Sequence, residues 1–485
     1  MTTVTPSAPA TRTELQRILE VQRTAHLAEG SPSAAVRRDR IQRLLLAILE
    51  SADELAATLD EEYGRRPGNL TKVLDILGAV QLTQDETLAN LEEWMAPEPK
   101  SGGYIQKKPL GVVGVIGPWN FPVELAIHPA IDALAAGNRV MIKFTDFFPR
   151  TGEALARAVA ARLDESEVAV VVGDLETAQA FSELHFDHIV FTGSPKVGAI
   201  VAEVAGRNLI PTTLELGGKN PVIVSREADL ALTAHRVATA RMFNSGQVCL
   251  CPDYVFVPRD RVEEFTTAVL AEFDMLFPDY FSGAGAVSIV SDGNFDRVCG
   301  LIDDAVAKGA QRLMANGAGT PTKERRLIPP TVLLDVPDTA AIASEEIFGP
   351  VLAVYPYDDL DEVIRYINDR PVPLAAYWFG SEGSDLERFL DRTSSGGVTV
   401  NDLMAHCFLG ASPFGGVGNS GSGAYHGKSG FDRLSHHRTI AVASEPQGFT
   451  DSMVGPGLES AEFAEFVDGA IQQGVAALRA DVERP

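Results

Sequence analysis

The chain has 485 residues, of which 45% are hydrophobic and 22% charged, as is typical of a folded globular protein. This length predicts two or three domains with a large core. The 41 basic and 66 acidic residues give a formal net charge of −25, which disfavours binding to nucleic acid or to an anionic membrane. The start of the chain lacks a secretory pattern, and no apolar run is long enough to span a membrane, so we expect a cytoplasmic protein.

Apolar residues recur at spacings of three and four between about residues 13 and 95, and we interpret this region as scaffold helices. Short apolar runs then alternate with helical patterns, which predicts a parallel, doubly wound α/β sheet. Ligands in such sheets bind at the carboxyl ends of the strands. The predicted strands of this part cover residues 111–116, 139–143, 168–172 and 188–191, and a further strand over 221–224 opens a second domain.

The strand that ends at Phe191 runs into Thr192-Gly193-Ser194-Pro195, where a helix begins. A strand, a glycine-containing turn and a helix N-terminus together offer backbone N–H groups to a phosphate. The turn matches neither the G-x-G-x-x-G fingerprint nor a Walker loop. The turn therefore predicts a phosphate-binding site but does not indicate which ligand carries the phosphate.

Cys249 lies between a small polar turn and an apolar segment, and Glu215 lies on a separate segment next to glycines. This pattern is typical of a nucleophile and its base. A buried, inert cysteine is the alternative, because free cysteine often behaves as a small hydrophobic residue. Cys249 and Cys251 can also be read as a metal or redox pair, but no histidine or second cysteine pair lies nearby in sequence. We therefore assign no metal site.

A series of motifs occurs in one order along the chain, and together they resemble the aldehyde dehydrogenase superfamily up to about Ala443. The segments Val400-Asn401-Asp402, Gly418-Asn419-Ser420-Gly421 and Tyr425-His426-Gly427 look more like its class 3 branch, which includes bacterial coniferyl aldehyde dehydrogenase-like enzymes. The superfamily motifs are 118–122 (Pro-Trp-Asn-Phe-Pro), Lys143, 191–194 (Phe-Thr-Gly-Ser), 215–219 (Glu-Leu-Gly-Gly-Lys), 246–249 (Gly-Gln-x-Cys), 346–350 (Glu-Ile-Phe-Gly-Pro) and 413–416 (Pro-Phe-Gly-Gly).

The resemblance implies a Rossmann-type dinucleotide-binding domain, an α/β catalytic domain and a small bridging or oligomerisation element. We place the NAD(P)-binding domain at residues 1–98 and 115–216, and the catalytic domain at 217–417. The bridging element is expected at 99–114 and 430–446. A C-terminal tail follows at 447–485, with a weakly amphipathic acidic helix over about 460–480. A homodimer is the expectation for this branch.

The activity implied is NAD(P)-dependent oxidation of an aldehyde to a carboxylic acid. Cys249 corresponds to the nucleophile that forms a thiohemiacetal and then a thioester. Glu215 corresponds to the general base that activates water. The Asn120 amide and the Cys249 backbone N–H correspond to the donors that stabilise the oxyanion.

The resemblance also implies which residues contact the cofactor. Lys143 would hold the adenosine ribose and Glu346 the nicotinamide ribose. Asp146 stands where the family usually has a glutamate, and its carboxylate would accept ribose hydroxyls and repel a 2′-phosphate, so NAD is favoured and NADP remains possible. The remaining cofactor residues are Gly193, Ser194 and Gly198 at the pyrophosphate, Trp119 and Phe348 as walls, and Ile116 and Leu216.

The aldehyde side is less well defined by the motifs. Glu124 is unexpected on a segment that should face the substrate tunnel or the core, and it either selects polar aldehydes or points to solvent. The candidate substrate residues are Val123, Glu124, His128 and Phe414, with Met404 as a further lining residue. Cys251 stands where alanine is common and can form a reversible link with Cys249 under oxidation.

Two other functions use the same residues. A cofactor-independent thiol esterase would need Cys249 and Glu215 but no ribose site, so Lys143, Ser194 and Glu346 argue against it. A non-catalytic, NAD-binding or structural protein could lose the nucleophile without losing the fold, yet Cys249, Glu215 and Asn120 are all present.

Overall fold

The computed structural model describes residues 10–281, 285–315, 319–410, 412–443, 450 and 454–482. The start of the chain, the end of the expected bridging element (444–446) and parts of the expected tail lie outside the described residues. Two compact units are present. The larger contains residues 1–96 and 107–436, and the smaller contains residues 97–106 and 437–485.

Helices and strands alternate after an all-helical N-terminal region. The strands are β1 Glu98–Lys100, β2 Gly103–Pro109, β3 Val112–Ile116, β4 Arg139–Lys143, β5 Val168–Val171, β6 His188–Gly193, β7 Thr212–Leu216, β8 Asn220–Val224, β9 Pro252–Pro258, β10 Gln311–Met314, β11 Thr331–Leu334, β12 Val351–Tyr357, β13 Ala375–Phe379, β14 Gly397–Val400, β15 Gly421–Ser422 and β16 Ser435–Ala441.

The helices are α1 Arg12–Glu29, α2 Ala34–Glu50, α3 Ala52–Tyr63, α4 Gly68–Thr71, α5 Gly78–Leu82, α6 Ala89–Met95, α7 Glu124–Ala136, α8 Pro149–Ala160, α9 Leu175–Ser182, α10 Pro195–Arg207, α11 Leu230–Met242, α12 Val262–Leu276, α13 Asp292–Ala307, α14 Ala341–Ser344, α15 Leu360–Asn368, α16 Ser384–Arg392, α17 Gly427–Arg433 and α18 Ala461–Val482. Two π-helical segments, Lys72–Leu77 and Thr83–Leu88, interrupt the N-terminal helices. Short 3₁₀ turns occupy Phe243–Gly246, Arg259–Arg261, Lys323–Arg325, Ala405–Phe408, Gly418–Ser420 and Gly455–Glu459.

The first sheet of the larger unit has six strands in the order β15-β7-β6-β3-β4-β5. Its neighbouring strands are parallel except for β15, which pairs with β7 in the antiparallel direction. All residues of β4 are buried, because helices cover both faces of a doubly wound sheet. The parallel, doubly wound α/β fold expected from the sequence is confirmed.

The second sheet of the larger unit has seven strands in the order β10-β11-β12-β9-β8-β13-β14. It is parallel apart from the edge strand β10. Strand β8 follows β7 after three residues, so the chain passes directly from one sheet to the other at Gly217–Lys219. Residues that follow β7 are therefore placed where both sheets contribute to one site.

The smaller unit contains most of a three-stranded sheet and the last helix. Strands β1, β2 and β16 form a three-stranded sheet in that order. Helix α18 has 22 residues, close to the helix expected over about 460–480, and none of its residues is buried. No helix within the described ranges is long and apolar enough to cross a bilayer.

Candidate active site

Cys249 follows a strained turn at the end of α11. Asn244 and Ser245 have φ angles of 49° and 53°, and Gly246 continues in the left-handed region at 76°. A Cβ atom on Gly246 would lie 2.3 Å from the Gly349 carbonyl oxygen, so only glycine fits there. Non-glycine residues adopt such conformations when surrounding contacts hold them, often at functional sites.

The side-chain amide of one asparagine holds the main chain around Cys249. Asn220, which is fully buried at the start of β8, donates through Nδ2 to the Cys249 carbonyl at 2.7 Å and to the Cys251 carbonyl at 3.0 Å. The Asn220 carbonyl oxygen of the side chain accepts from the Ala375 N–H at 2.9 Å. The nucleophile segment is thereby attached to the second sheet.

Two cavities meet at Cys249. The larger has a volume of about 820 Å³ and the smaller about 390 Å³. Both are lined by Leu125, Cys249, Phe414 and Tyr425. Burial raises the pKa of the Cys249 thiol, and the nearby Glu346 carboxylate acts in the same direction. One thiol thus faces two compartments that can hold two different molecules.

Glu215 lies on β7 and lines the smaller cavity together with Cys249. It is paired on both sides, with Thr192 of β6 and Gly421 of β15, so its position in the sheet is fixed. Only 3% of the residue is exposed, and neither carboxylate oxygen has a hydrogen-bond partner among the described residues. Burial raises the pKa of Glu215 well above that of a free glutamic acid.

Asn120 comes after β3, at the carboxyl end of the first sheet. It is 4% exposed and lines the smaller cavity beside Cys249 and Glu215. Its backbone carbonyl accepts from Asn244 Nδ2 at 3.3 Å, which ties it to the turn before Cys249. The three residues that the sequence assigned to catalysis are therefore brought to one cavity.

Most of the predicted cofactor residues line the smaller cavity. Ser194 caps α10, with its hydroxyl accepting from the Val197 N–H at 3.4 Å. The Trp119 and Phe348 rings meet edge to face with centroids 5.3 Å apart. Burial raises the pKa of Glu346 to about 8. The predicted cofactor residues on this wall are Trp119, Gly193, Ser194, Leu216, Glu346 and Phe348.

Four predicted cofactor residues lie outside the wall of that cavity. Lys143 is buried at the end of β4 and donates to the Phe144 and Gly173 carbonyls at 2.7 and 2.9 Å. Burial lowers its pKa to about 8. Asp146 is exposed in the loop after β4, and Ile116 is half-buried at the end of β3. Gly198 supports the site indirectly, since a Cβ atom there would lie 2.6 Å from Leu216 Cδ2.

The larger cavity is mainly apolar and contains two of the predicted substrate residues, Glu124 and Phe414, as well as Met404. Val123 is fully buried and lines neither cavity. Other apolar side chains on the wall are Phe121, Leu125, Phe243, Leu403 and Phe408.

His128 is 2% exposed and lies behind the wall of the larger cavity. Its Nδ1 is 3.1 Å from Glu124 Oε1, and its ring stacks on the His426 ring with centroids 4.2 Å apart. Ligand atoms of Glu124, His128 and His426 lie within 4.8 Å of one another. The hydrogen bond and the ring stack account for this cluster without a metal ion.

Sequence reasoning missed five residues of the smaller cavity: Leu125, Leu374, Asn294 and Arg297 of α13, and Tyr425. Tyr425 stands in a motif used only to identify the branch, so that motif was an available signal. Asn294 and Arg297 belong to no motif, and they lie 45 and 48 residues after Cys249 in the sequence. Only the packing of α13 reveals them.

Cys251 faces away from the cavities. Its thiol donates to the Ala240 carbonyl at 3.3 Å, and the residue is 3% exposed. Burial raises its pKa to about 12. The thiol therefore packs as a small core side chain, and its oxidative link with Cys249 stays a prediction.

Replacing Gly217 with alanine should weaken binding at the smaller cavity. A Cβ atom at Gly217 would lie 2.3 Å from Glu346 Oε2, so the carboxylate must move away from its position on the wall. We expect the KM for the dinucleotide to rise about tenfold, the effect of losing roughly 1.4 kcal/mol of binding. Initial rates at varied dinucleotide concentration measure this. Gly206→Ala is the control, because its Cβ atom would meet nothing within 4 Å.

The model of the aldehyde dehydrogenase family matches residues 2–440. The chain is 42% identical over 447 residues to a probable coniferyl aldehyde dehydrogenase of Caulobacter vibrioides, covering 90% of this chain and 92% of the relative. It is 40% identical over 445 residues to the coniferyl aldehyde dehydrogenase of a Pseudomonas species, with the same coverages.

The structure is also similar to the crystal structure of Mycobacterium tuberculosis aldehyde dehydrogenase complexed with NAD⁺. The TM-score is 0.80 at 27% identity, and the similarity covers 92% of each chain. Family match, relatives and fold agree with the motifs and with the arrangement around Cys249. The chain belongs to the aldehyde dehydrogenase family.

Proposed function

We propose that this protein oxidises an aldehyde to its carboxylic acid with NAD(P), through a thioester on Cys249. The observation that carries the proposal is that Cys249 borders both cavities, with Glu215 and Asn120 on the wall of the smaller one. The aldehyde then occupies the larger cavity and the dinucleotide the smaller. In this arrangement one thiol has access to both reactants.

The first step is attack of the Cys249 sulfur on the aldehyde carbon. The thiol gives its proton to water, the new S–C bond forms as the C=O π bond breaks, and the carbonyl oxygen becomes an oxyanion. The Asn120 side-chain amide and the Cys249 backbone N–H stabilise that oxygen. Removal of one such donor costs about 3 kcal/mol in comparable oxyanion holes.

Oxidation of the thiohemiacetal needs a hydride acceptor, and the nicotinamide ring supplies that chemistry when it is bound. The residues of this chain orient the two reactants. Trp119, Phe348 and Cys249 all line the smaller cavity.

Hydrolysis of the thioester is assigned to Glu215. A buried carboxyl group with a raised pKa and two free oxygens suits a base that removes a proton from water. Water then adds to the thioester carbon, the C–S bond breaks, and the Cys249 thiol and the acid are released. The base is inactive while protonated, so this step accelerates as pH rises.

The residues of the smaller cavity fit a dinucleotide. Gly193 and Ser194 lie at the N-terminus of the thirteen-residue helix α10, which favours an anionic phosphate. The Cβ contact at Gly217 shows that the Glu346 carboxylate lies close to the backbone between β7 and β8, and we assign this carboxylate to a ribose hydroxyl. Lys143 and Asp146, on and after strand β4 of the same sheet, are assigned to the adenosine ribose.

We assign the larger cavity to a hydrophobic or aromatic aldehyde. Its volume of about 820 Å³ lies within the range of sites for drug-sized ligands. Two relatives carry coniferyl aldehyde in their names. An aromatic α,β-unsaturated aldehyde of this kind is therefore the first candidate substrate, and the apolar wall around Phe121 and Phe414 would contact its ring.

Replacing Asp146 with serine should shift cofactor preference toward NADP. We assign the exposed Asp146 carboxylate to the adenosine ribose, where it would repel a 2′-phosphate, so removing it should raise kcat/KM for NADP by about tenfold, or roughly 1.4 kcal/mol. The same change should lower kcat/KM for NAD. Parallel assays with the two cofactors measure the ratio, and Glu203→Ser on α10 is a matched loss of one exposed charge. An unchanged ratio would remove Asp146 from the cofactor site.

The domain limits inferred from the sequence, the homodimer and the cytoplasmic location are part of the same proposal. Subunit number follows from sedimentation at several protein concentrations.

The activity itself is tested by absorbance of the reduced nicotinamide with NAD or NADP and a panel of aliphatic and aromatic aldehydes. Reduced cofactor should appear fastest with aromatic aldehydes. Binding of NAD without turnover of any aldehyde would contradict the proposed function.

A further inference from the structure

Asn244 contacts both the segment that carries Asn120 and a buried arginine. Its Nδ2 donates to the Asn120 carbonyl at 3.3 Å and to the Gln247 carbonyl at 3.2 Å. Its Oδ1 accepts from Arg66 Nε at 3.4 Å. Asparagine tolerates the left-handed conformation found here better than most residues. The side chain therefore links three parts of the chain from one strained position.

Arg66 and Asp75 form an ion pair with both side chains fully buried. Arg66 Nη2 donates to Asp75 Oδ2 at 2.7 Å, and Nη1 donates to Thr71 Oγ1 at 2.6 Å. The other carboxylate oxygen of Asp75 accepts from the Val123 N–H at 3.1 Å. The pair thus holds both Val123, just after Asn120, and Asn244, just before the nucleophile.

A buried ion pair of this kind needs an explanation other than stability. Apolar side chains of similar volume often replace such pairs without loss of stability, because desolvation offsets the attraction. Here every charged group is also bonded to the backbone or side chain of a catalytic segment. Asp75 lies in a π-helical segment, a feature often found at functional sites.

We propose that Arg66, Asp75 and Asn244 are positioning residues that hold the Asn120 segment against the turn before Cys249. This inference rests on the proposed function, since it concerns the alignment of the oxyanion donor with the nucleophile. None of the three residues lines either cavity, so they act through Asn120 and Cys249 rather than on substrate. A displacement of about 1 Å in such a site can cost about a hundredfold in rate.

Asn244→Asp is the most informative variant. It keeps the size of the side chain, a residue type that tolerates the left-handed turn, and an acceptor for Arg66. It removes the N–H donor to the Asn120 carbonyl. We expect kcat for aldehyde oxidation to fall about tenfold to a hundredfold, with the aldehyde KM changed by less than about twofold because the substrate cavity is untouched. Asn69→Asp makes the same chemical change at an exposed position.

Two reactions of Cys249 separate positioning from general damage. Acylation by p-nitrophenyl acetate forms an oxyanion, so its rate should fall in parallel with aldehyde oxidation. Alkylation by iodoacetamide forms none, so its rate should stay within about twofold of wild type. Arg66→Lys keeps the charge but loses the forked geometry of the guanidinium. Its rate of ester acylation should fall by as much as in Asn244→Asp or by less, while its rate of alkylation stays near that of wild type.

Two results would overturn the inference. One is an Asn244→Asp variant whose kcat and rate of ester acylation equal those of wild type. The other is an equal loss of acylation and alkylation, which indicates general disruption of the site. If wild type is acylated by the ester but oxidises no aldehyde, the proposed function fails, while the ester and alkylation rates still decide the positioning role.

Discussion

Replacing Cys249 with alanine should abolish aldehyde oxidation, lowering kcat by at least about 10⁴-fold. Losing the nucleophile of a covalent mechanism removes the whole route, and comparable losses in other enzymes reach about 10⁶-fold. The smaller cavity, which we propose for the dinucleotide, is lined by many other residues, so NAD binding should persist. Oxidation is measured by reduced-nicotinamide absorbance, and binding by calorimetry.

The matched control is Cys251→Ala, two positions along the same segment. The Cys251 thiol is buried and bonded to the Ala240 carbonyl, away from both cavities. We expect its kcat to stay within about twofold of wild type, since a cysteine to alanine change at a core position mainly affects packing. Substantial oxidation by the Cys249 variant would contradict the assignment of the nucleophile.

Replacing Glu215 with glutamine should separate the two halves of the reaction. The variant still forms the thioester, so one equivalent of reduced cofactor per site appears rapidly. Hydrolysis then limits turnover, and kcat should fall by about 10² to 10⁴-fold, the usual contribution of a general base. Stopped-flow absorbance resolves the burst from the slow steady state, and Glu203→Gln controls for loss of an exposed carboxylate.

The pH profile gives an independent reading of Glu215. Burial raises its pKa, so the active carboxylate form is scarce at low pH and increases as pH rises. Wild-type kcat should therefore rise with pH wherever hydrolysis limits the rate. In Glu215→Gln this rise of kcat with pH should disappear, because glutamine does not titrate. Two results would contradict this role of Glu215. One is a Glu215→Gln variant without a burst of reduced cofactor, and the other is a variant whose kcat still rises with pH as in wild type.

Much of the fold follows from local sequence. The apolar run of β4 and the alternation of strands with helices predicted a parallel sheet, and the structure confirms it. The short antiparallel strand Gly421–Ser422 has no such signal, because two residues show no periodicity. Its pairing with Leu214 and Glu215 nevertheless fixes the edge of strand β7.

The candidate site was predicted only where motifs mark it. Cys249, Glu215 and Asn120 belong to motifs, and the structure brings them to one cavity. Arg66 and Asp75 stand in a region interpreted only as scaffold helices. Their pairing depends on how α4 and the π-helical segment after it pack against the turn at Asn244, and one sequence contains no record of that packing.

Val123 and His128 show the same limit on the substrate side. Both lie on or next to α7 and were expected to face the aldehyde. Helical spacing shows which residues share a face, but neighbouring elements decide which face borders a cavity. Here Glu124 lines the larger cavity, while Val123 is fully buried and His128 lies behind Glu124.

The most direct measurement is the intact mass of Glu215→Gln protein, quenched in acid after mixing with NAD and an aromatic aldehyde. If Cys249 carries the thioester, the protein gains the mass of the aldehyde less two hydrogen atoms, and proteolysis locates the group on the peptide that contains Cys249. The same treatment of Cys249→Ala should give no adduct. Reduced cofactor formed while Cys249 stays unmodified would contradict the covalent mechanism.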